Sequence, residues 1–457
     1  MKKRILCLLL AACFALTPPC APAQAAGAAN DIVSPYTDVL YAADEIAREP
    51  RILFEYVREE QALPPDLPAI GCEAAYVADP VSGKVFYEKN AHKKMYPAST
   101  TKLLTALVVL ENCTMEETAT VSQSAVDAVS WEYVNAGLQP GEELSVYLLL
   151  QTLLICSANE AAFVLAEHVS GSTEAFAELC NRRAKELGCE TLHFVNPNGI
   201  HSEDHYCSAY DLYLIAKECR KHGVFNEIVK MTSVTVPPND VCPRTDRIFE
   251  TTNELLLPGS EYYYAPCTGM KTGYTDFAGQ CFVAGSTLGG LDLITVVLNG
   301  SILEDETNER FTDAIRLMDY VYGRYSYHMI ADSSVPVARI HIDNATKDTA
   351  MLEAVLQADI YSAAPNGITP GNAAAAVELP EDLKAPIKKD QVLGTVTYKA
   401  DGMNYTTNLV AKNAVEKKPY WLYNSLIALA GLLLLPIVTF LVKKRKSKPG
   451  AKNRTEE

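Results

Sequence analysis

Residues 422–442 carry no charge and are mostly apolar, and in a bilayer a run of that length can satisfy its backbone only as a helix. Trp421 and Tyr423 stand at its head, and Lys443, Lys444, Arg445, Lys446 and Lys448 follow it. Aromatic residues at one interface and a basic block at the other predict a single-pass transmembrane helix in the cell membrane. The tail 443–457 is then cytoplasmic and everything upstream is outside. Pro436 is expected to kink the span without abolishing it. A buried core helix would leave the basic block unexplained. At the other end, Lys2, Lys3 and Arg4 precede an apolar stretch, 5–16, and the small-residue site Ala23-Gln24-Ala25. That pattern predicts a secretory signal peptide over 1–25.

The net charge of −16 conceals a split. The signal region has three basic residues and no acidic one, and the tail has seven basic and two acidic, so the part between them carries −24. Such an acidic body argues against nucleic-acid binding and flat adhesion to anionic lipid. Of thirteen cysteines, three lie in the signal region, and the other ten show no C-x-x-C spacing. No zinc site or cofactor is expected, and simple buried thiols are expected over disulfides. His201 and His205 flank Glu203 and Asp204, but Asn196-Pro197-Asn198-Gly199 marks a turn there, so no metal is expected.

Residues 26–69 form an acidic segment with helical stretches, closed by prolines 64, 65 and 68. A folded domain is predicted over 70–326. It has a hairpin at 74–88, a nearly all-apolar helix after Pro97, and further helices over 146–155, 159–168 and 173–187. A second hairpin, 281–299, and a closing helix, 311–322, complete it. Strands at both ends around a helical middle predict an α+β fold, one antiparallel sheet flanked by helices. Short strand signals at 335–342, 391–399 and 404–410 then predict a small all-β domain over 327–417.

Three short motifs follow in order: Ser99-Thr100-Thr101-Lys102, Ser157-Ala158-Asn159 and Lys271-Thr272-Gly273. A lone Ser-x-x-Lys arises about once or twice by chance in a chain this long. The ordered trio supplies the parts for acyl transfer through serine without histidine. On a helix Lys102 shares a face with Ser99 and, kept neutral by burial and by the nearby charge of Lys271, can take the hydroxyl proton. The helix N-terminus favours an oxyanion. An edge strand at 271–274 would let a peptide pair alongside, with the N–H groups of Tyr274 and Ser99 holding that oxyanion.

With Tyr96-Pro97-Ala98 ahead of the first motif, Cys156 and Glu160 around the second, Asn196-Pro197-Asn198-Gly199, and Thr268-Gly269-Met270 before the third, the chain closely resembles the serine-type D-alanyl-D-alanine carboxypeptidases, the low-molecular-weight penicillin-binding proteins. Lys388-Lys389-Asp390-Gln391-Val392-Leu393-Gly394 looks like part of that family's β-rich C-terminal domain. The resemblance implies catalytic roles for Ser99, Lys102, Ser157 and Asn159, and substrate binding by Lys271, Thr272, Gly273 and Tyr274. It further implies peptidoglycan stem peptides ending in D-Ala-D-Ala as substrates and β-lactams as covalent inhibitors. Two departures stand out. The stretch 284–288 lacks the basic residue often found in relatives, and a spanning helix replaces the usual amphipathic anchor. A class A β-lactamase would need a Glu with an Asn four positions on. Here Glu190 is followed at that distance by Phe194, which disfavours lactam hydrolysis. A noncatalytic wall-binding or scaffolding protein is the other alternative, opposed by the presence of all three motifs.

Overall fold

The computed structural model describes residues 66–243, 246–367, 374–400 and 403–446. The expected signal peptide, nearly all of the acidic segment and the end of the basic tail lie outside them.

Strands β1 (Ala74–Ala78) and β2 (Val85–Lys89) form the first hairpin. A 3-10 turn, Ala98–Thr101, runs into α1 (Lys102–Asn112). Then come β3 (Thr118–Thr120), α2 (Gln123–Asp127), β4 (Glu143–Ser145) and α3 (Val146–Leu154). They are followed by α4 (Asn159–Ser170), α5 (Thr173–Glu186), α6 (Ala209–Cys219) and α7 (Gly223–Ile228). The small pair β5 (Ser233–Val236) and β6 (Arg247–Glu250) precedes three long strands, β7 (Cys267–Thr275), β8 (Gly279–Leu288) and β9 (Leu291–Gly300). Helix α8 (Glu309–Arg324) closes the domain.

The main sheet has the order β2-β1-β9-β8-β7, every pair antiparallel. Its interior strands are apolar on both faces because both are covered. On one face the side chains of Ala74, Tyr76, Ile294 and Val296 join a core with Leu103, Leu107, Leu212 and Ile215 of α1 and α6. On the other, Ala75, Val77, Leu293 and Val297 meet Phe311, Leu317, Met318 and Val321 of α8. Each α8 residue named there recurs at helical spacing on one stripe. Helix α1 differs: every residue from Lys102 to Val109 is buried, as befits a helix surrounded by others. Serine caps fix the helix starts at α3, α5 and α6, the last through a reciprocal capping box between Ser208 and Asp211.

The β-rich module begins without a linker at β10 (Tyr325–Ala331). It continues through β11 (Ala338–His341), β12 (Met351–Leu356), β13 (Ile360–Pro365), β14 (Ala374–Glu378), β15 (Val392–Ala400) and β16 (Met403–Ala411). Five strands pair in the order β11-β12-β16-β15-β14, and β10 pairs with β13. Lys84, fully buried, donates to the carbonyl of Ala363 at 3.0 Å, and Ala363 packs in the same core as Phe86 and Tyr325. The module is thereby built into the first domain. Helix α9 (Tyr420–Lys446) follows. Its segment Tyr423–Lys443 has mean hydropathy 2.6 and no burial against the protein, which fits a membrane anchor. Pro436 lies within it and the helix continues past it.

Candidate active site

Ser99 sits inside the 3-10 turn, with no side-chain cap at the turn's start, so the expectation that an α-helix begins at Ser99 is corrected by three residues. The tighter helix matters. Residues i and i+3 eclipse in a 3-10 turn, which stacks Lys102 directly on Ser99, Nζ to Oγ 2.8 Å. The half-buried hydroxyl faces a cleft of about 440 Å³.

Lys102 is fully buried. Its amine also meets Asn159 Oδ1 at 2.9 Å and the carbonyl oxygen of Asn198 at 2.7 Å. Both partners only accept. A neutral amine has two N–H bonds and one lone pair, so the two oxygens take the N–H groups and the lone pair is left for the Ser99 hydroxyl. Burial, and then the charge of Lys271, push the Lys102 amine well below the usual lysine range. Asn159 opens α4, and its Nδ2 donates to the carbonyl of Val134 at 2.8 Å, which fixes Oδ1 toward Lys102. The next residue, Glu160, is buried and accepts from Ala136 N at 2.6 Å, pinning the loop after residue 130 beside the cleft.

Ser157 lines the cleft from a left-handed backbone, φ 65°, a strained conformation for a residue with a Cβ. Strand β7 is one edge of the sheet, as expected from 271–274. Gly273 lets it press against the Ser99 turn: a Cβ there would stand 2.9 Å from Ser99 N and 3.0 Å from Thr100 N. Gly199, φ 86°, packs from the opposite side, where a Cβ would collide with the Ala98 carbonyl oxygen at 1.9 Å. Thr272, Gly273 and Tyr274 line the cleft, and Thr272 Oγ1 shares a hydrogen bond with Thr252 Oγ1 at 2.5 Å.

Lys271 is placed differently from the other expected binding residues. It is 1% exposed, beneath the cleft wall, and its amine donates to the Thr272 carbonyl at 2.9 Å. Burial, then the Arg310 guanidinium, lower its pKa to about 7. Arg310 is the residue that sequence reasoning missed. It comes from the first turn of α8, lines the cleft, and donates to the Gly273 carbonyl at 3.3 Å. Its buried Nε has no hydrogen-bond partner among the described residues. Arg310 thus brings a cation to the cleft from an element other than 284–288.

The two histidines have separate structural places. His205 stacks on Phe194 at 4.4 Å, accepts from Val195 N at Nδ1, and so donates from Nε2 to Thr101 Oγ1 at 2.8 Å. Burial lowers its pKa to about 3, which keeps it neutral. His201 stacks on Phe277 at the cleft mouth. Phe194, at the position a lactamase would give to an amide, is core.

The chain matches the family model described as D-alanyl-D-alanine carboxypeptidase over residues 59–301, and that of the penicillin-binding protein 5 C-terminal domain over 331–417. Over 353 residues it is 30% identical to the D-alanyl-D-alanine carboxypeptidase DacF of Bacillus subtilis (strain 168), covering 76% of this chain and 86% of the relative. It is 28% identical to DacA of Escherichia coli (strain K12), covering 74% and 82%. The solved structure of PBP3, a peptidoglycan synthesis regulatory factor from Streptococcus pneumoniae, superposes with a TM-score of 0.63 at 26% identity, covering 76% of this chain and all of that one. The chain belongs to the D-alanyl-D-alanine carboxypeptidase family of serine peptidases. It joins a penicillin-binding-protein fold to the β-rich C-terminal domain found with it.

Proposed function

We propose that this protein removes the terminal D-alanine from peptidoglycan stem peptides through an acyl-enzyme on Ser99. The observation that carries the reading is the buried Lys102 amine, 2.8 Å from Ser99 Oγ, 2.9 Å from Asn159 Oδ1 and 2.7 Å from the Asn198 carbonyl oxygen. Lys102 takes the Ser99 proton as Oγ bonds to the carbonyl carbon of the penultimate D-alanine. The oxyanion forms between the N–H groups of Ser99 and Tyr274, which Gly273 allows to converge. The C–N bond breaks as the leaving nitrogen takes a proton from Lys102 through Ser157, and D-alanine departs. Water then gives a proton to Lys102 and attacks the ester, and Ser99 recovers its hydrogen. Thr272 and Arg310 hold the substrate's terminal carboxylate, with Lys271 adding positive potential from beneath. Penicillin, which mimics D-Ala-D-Ala, acylates Ser99 and stays.

Helix α9 anchors the protein in the cell membrane, with the catalytic domain outside and the basic tail in the cytoplasm. The support for this orientation is the aromatic head and basic flank of the span. The test of function is release of D-alanine from a peptide ending in D-Ala-D-Ala by the purified full chain. Ser99→Ala and Lys102→Met both abolish release and labelling by fluorescent penicillin, while the melting temperature stays close to the parent's. No release by a folded parent protein overturns the proposal.

A further inference from the structure

At the end of α1 furthest from Ser99, three side chains of different chemistry converge. Cys113 is the C-cap of α1, Glu117 lies just before β3, and His168 is in the last turn of α4. A donor atom from each lies within 4.8 Å of the other two. We propose that Cys113, Glu117 and His168 bind one thiophilic divalent cation of the zinc class.

The donor set is what selects the ion. One thiolate, one imidazole and one carboxylate suit zinc, whereas magnesium and calcium prefer all-oxygen sites. The ligands are also pre-oriented. Thr114 N donates to Glu117 Oε1 at 2.6 Å, the kind of hydrogen bond that aligns a ligating carboxylate. The other oxygen, Oε2, faces His168 Nε2 at 3.1 Å. Cys113 is held by its own N–H, bonded to the Val109 carbonyl at 2.9 Å, and Gly171 ends α4 one turn after His168. On loading, the Glu117–His168 contact opens and both groups turn to the metal, while the thiol proton leaves to solvent. The Glu117 side chain is 42% exposed, so the fourth position is open to water.

The cluster is separate from the acyl-transfer machinery. Lys102 and Cys113 stand at opposite ends of α1, roughly 16 Å apart along its axis. Asn159 and His168 are likewise at opposite ends of α4. A bound ion would therefore tie together the far ends of the two helices that carry the proton-transfer pair, stabilising their packing without touching substrate. No sequence pattern announces it: Cys113 and Glu117 are four apart across a loop, and His168 follows much later.

The experiment uses the full chain in detergent, stripped of metal and titrated with Co²⁺. One equivalent should raise a near-ultraviolet thiolate-to-cobalt charge-transfer band that Zn²⁺ displaces, and saturating Zn²⁺ should raise the melting temperature by at least about 3 °C. Cys113→Ser should remove the band, and His168→Ala should weaken Co²⁺ binding by at least about tenfold. Cys189→Ser, altering a half-buried thiol elsewhere, should keep it. Penicillin acylation within about twofold of the parent certifies that each variant is folded. A folded parent protein that gives no band, or a band that survives Cys113→Ser, overturns the proposal.

Discussion

The proposed chemistry turns on the protonation of one amine. In the mechanism proposed above Lys102 acts as a base only when neutral, so acylation should be lost as pH falls through its pKa. Burial is the larger cause of that low pKa and the Lys271 charge the second. Replacing Lys271 with methionine removes the second cause only. Lys102 then holds its proton to higher pH, and the acid limb of the penicillin-acylation profile moves upward. Rates measured from pH 5 to 9 should show the displaced limb, and an unmoved limb would mean that the two lysines are not coupled. Ser99, Lys102, Ser157 and Asn159 were legible in the sequence because each pair is local and its spacing maps onto a single turn. Arg310 was not, because it reaches the cleft from a helix that follows two further strands, where nothing nearby marks one arginine from another. The burial of Lys271 was half legible. A cation near Lys102 followed from the chemistry, but whether it lines the cleft or underlies it depends on which way the edge strand faces.

Among the elements, the contact between β7 and the Ser99 turn sets the width of the proposed oxyanion site. Gly273→Ala places a methyl group 2.9 Å from Ser99 N, so the strand must retreat. Acylation should slow by at least about tenfold, or about 1.4 kcal/mol in the barrier, with the cooperative unfolding transition preserved. Stopped-flow acylation measures the first and thermal unfolding the second. Glu142 is fully buried and bound by both terminal nitrogens of Arg247, at 2.6 and 3.0 Å, and by Asn239. Burial opposes its charge, yet the Arg247 and Asn239 hydrogen bonds prevail and hold its carboxyl below the usual range. The folded state therefore favours the ionised form, a contribution present above the ordinary carboxyl pKa and lost as pH falls through the lowered one. Glu142→Gln leaves the partly buried Arg247 charge uncompensated and should cost about 1–3 kcal/mol in denaturant unfolding at neutral pH. In the variant, the acid-dependent part of the stability that Glu142 supplies should be absent. Helices α1, α3, α4, α5 and α8 and the long hairpin β8–β9 were readable from periodicity, whereas α2, α6 and α7 were not foreseen. The expected strand 335–342 shrinks to Ala338–His341, and β12 and β13 lacked a signal because their runs are short and alanine-containing.

For the whole molecule, removal of residues from Tyr420 onward should move the protein from the membrane to the soluble fraction. Penicillin labelling should persist at the parent's rate, because nothing in the cleft comes from α9. Fractionation followed by gel fluorescence checks both, and a truncated chain still found in the membrane would assign the anchoring to another segment. Arg324 ends α8 and Tyr325 begins β10, so not one residue of slack separates the catalytic domain from the β module, and Lys84 is sealed between them. Such a joint cannot swivel. On the anchoring proposed above, the β module stands between the cleft and the lipid, and its length is what holds the site away from the membrane surface.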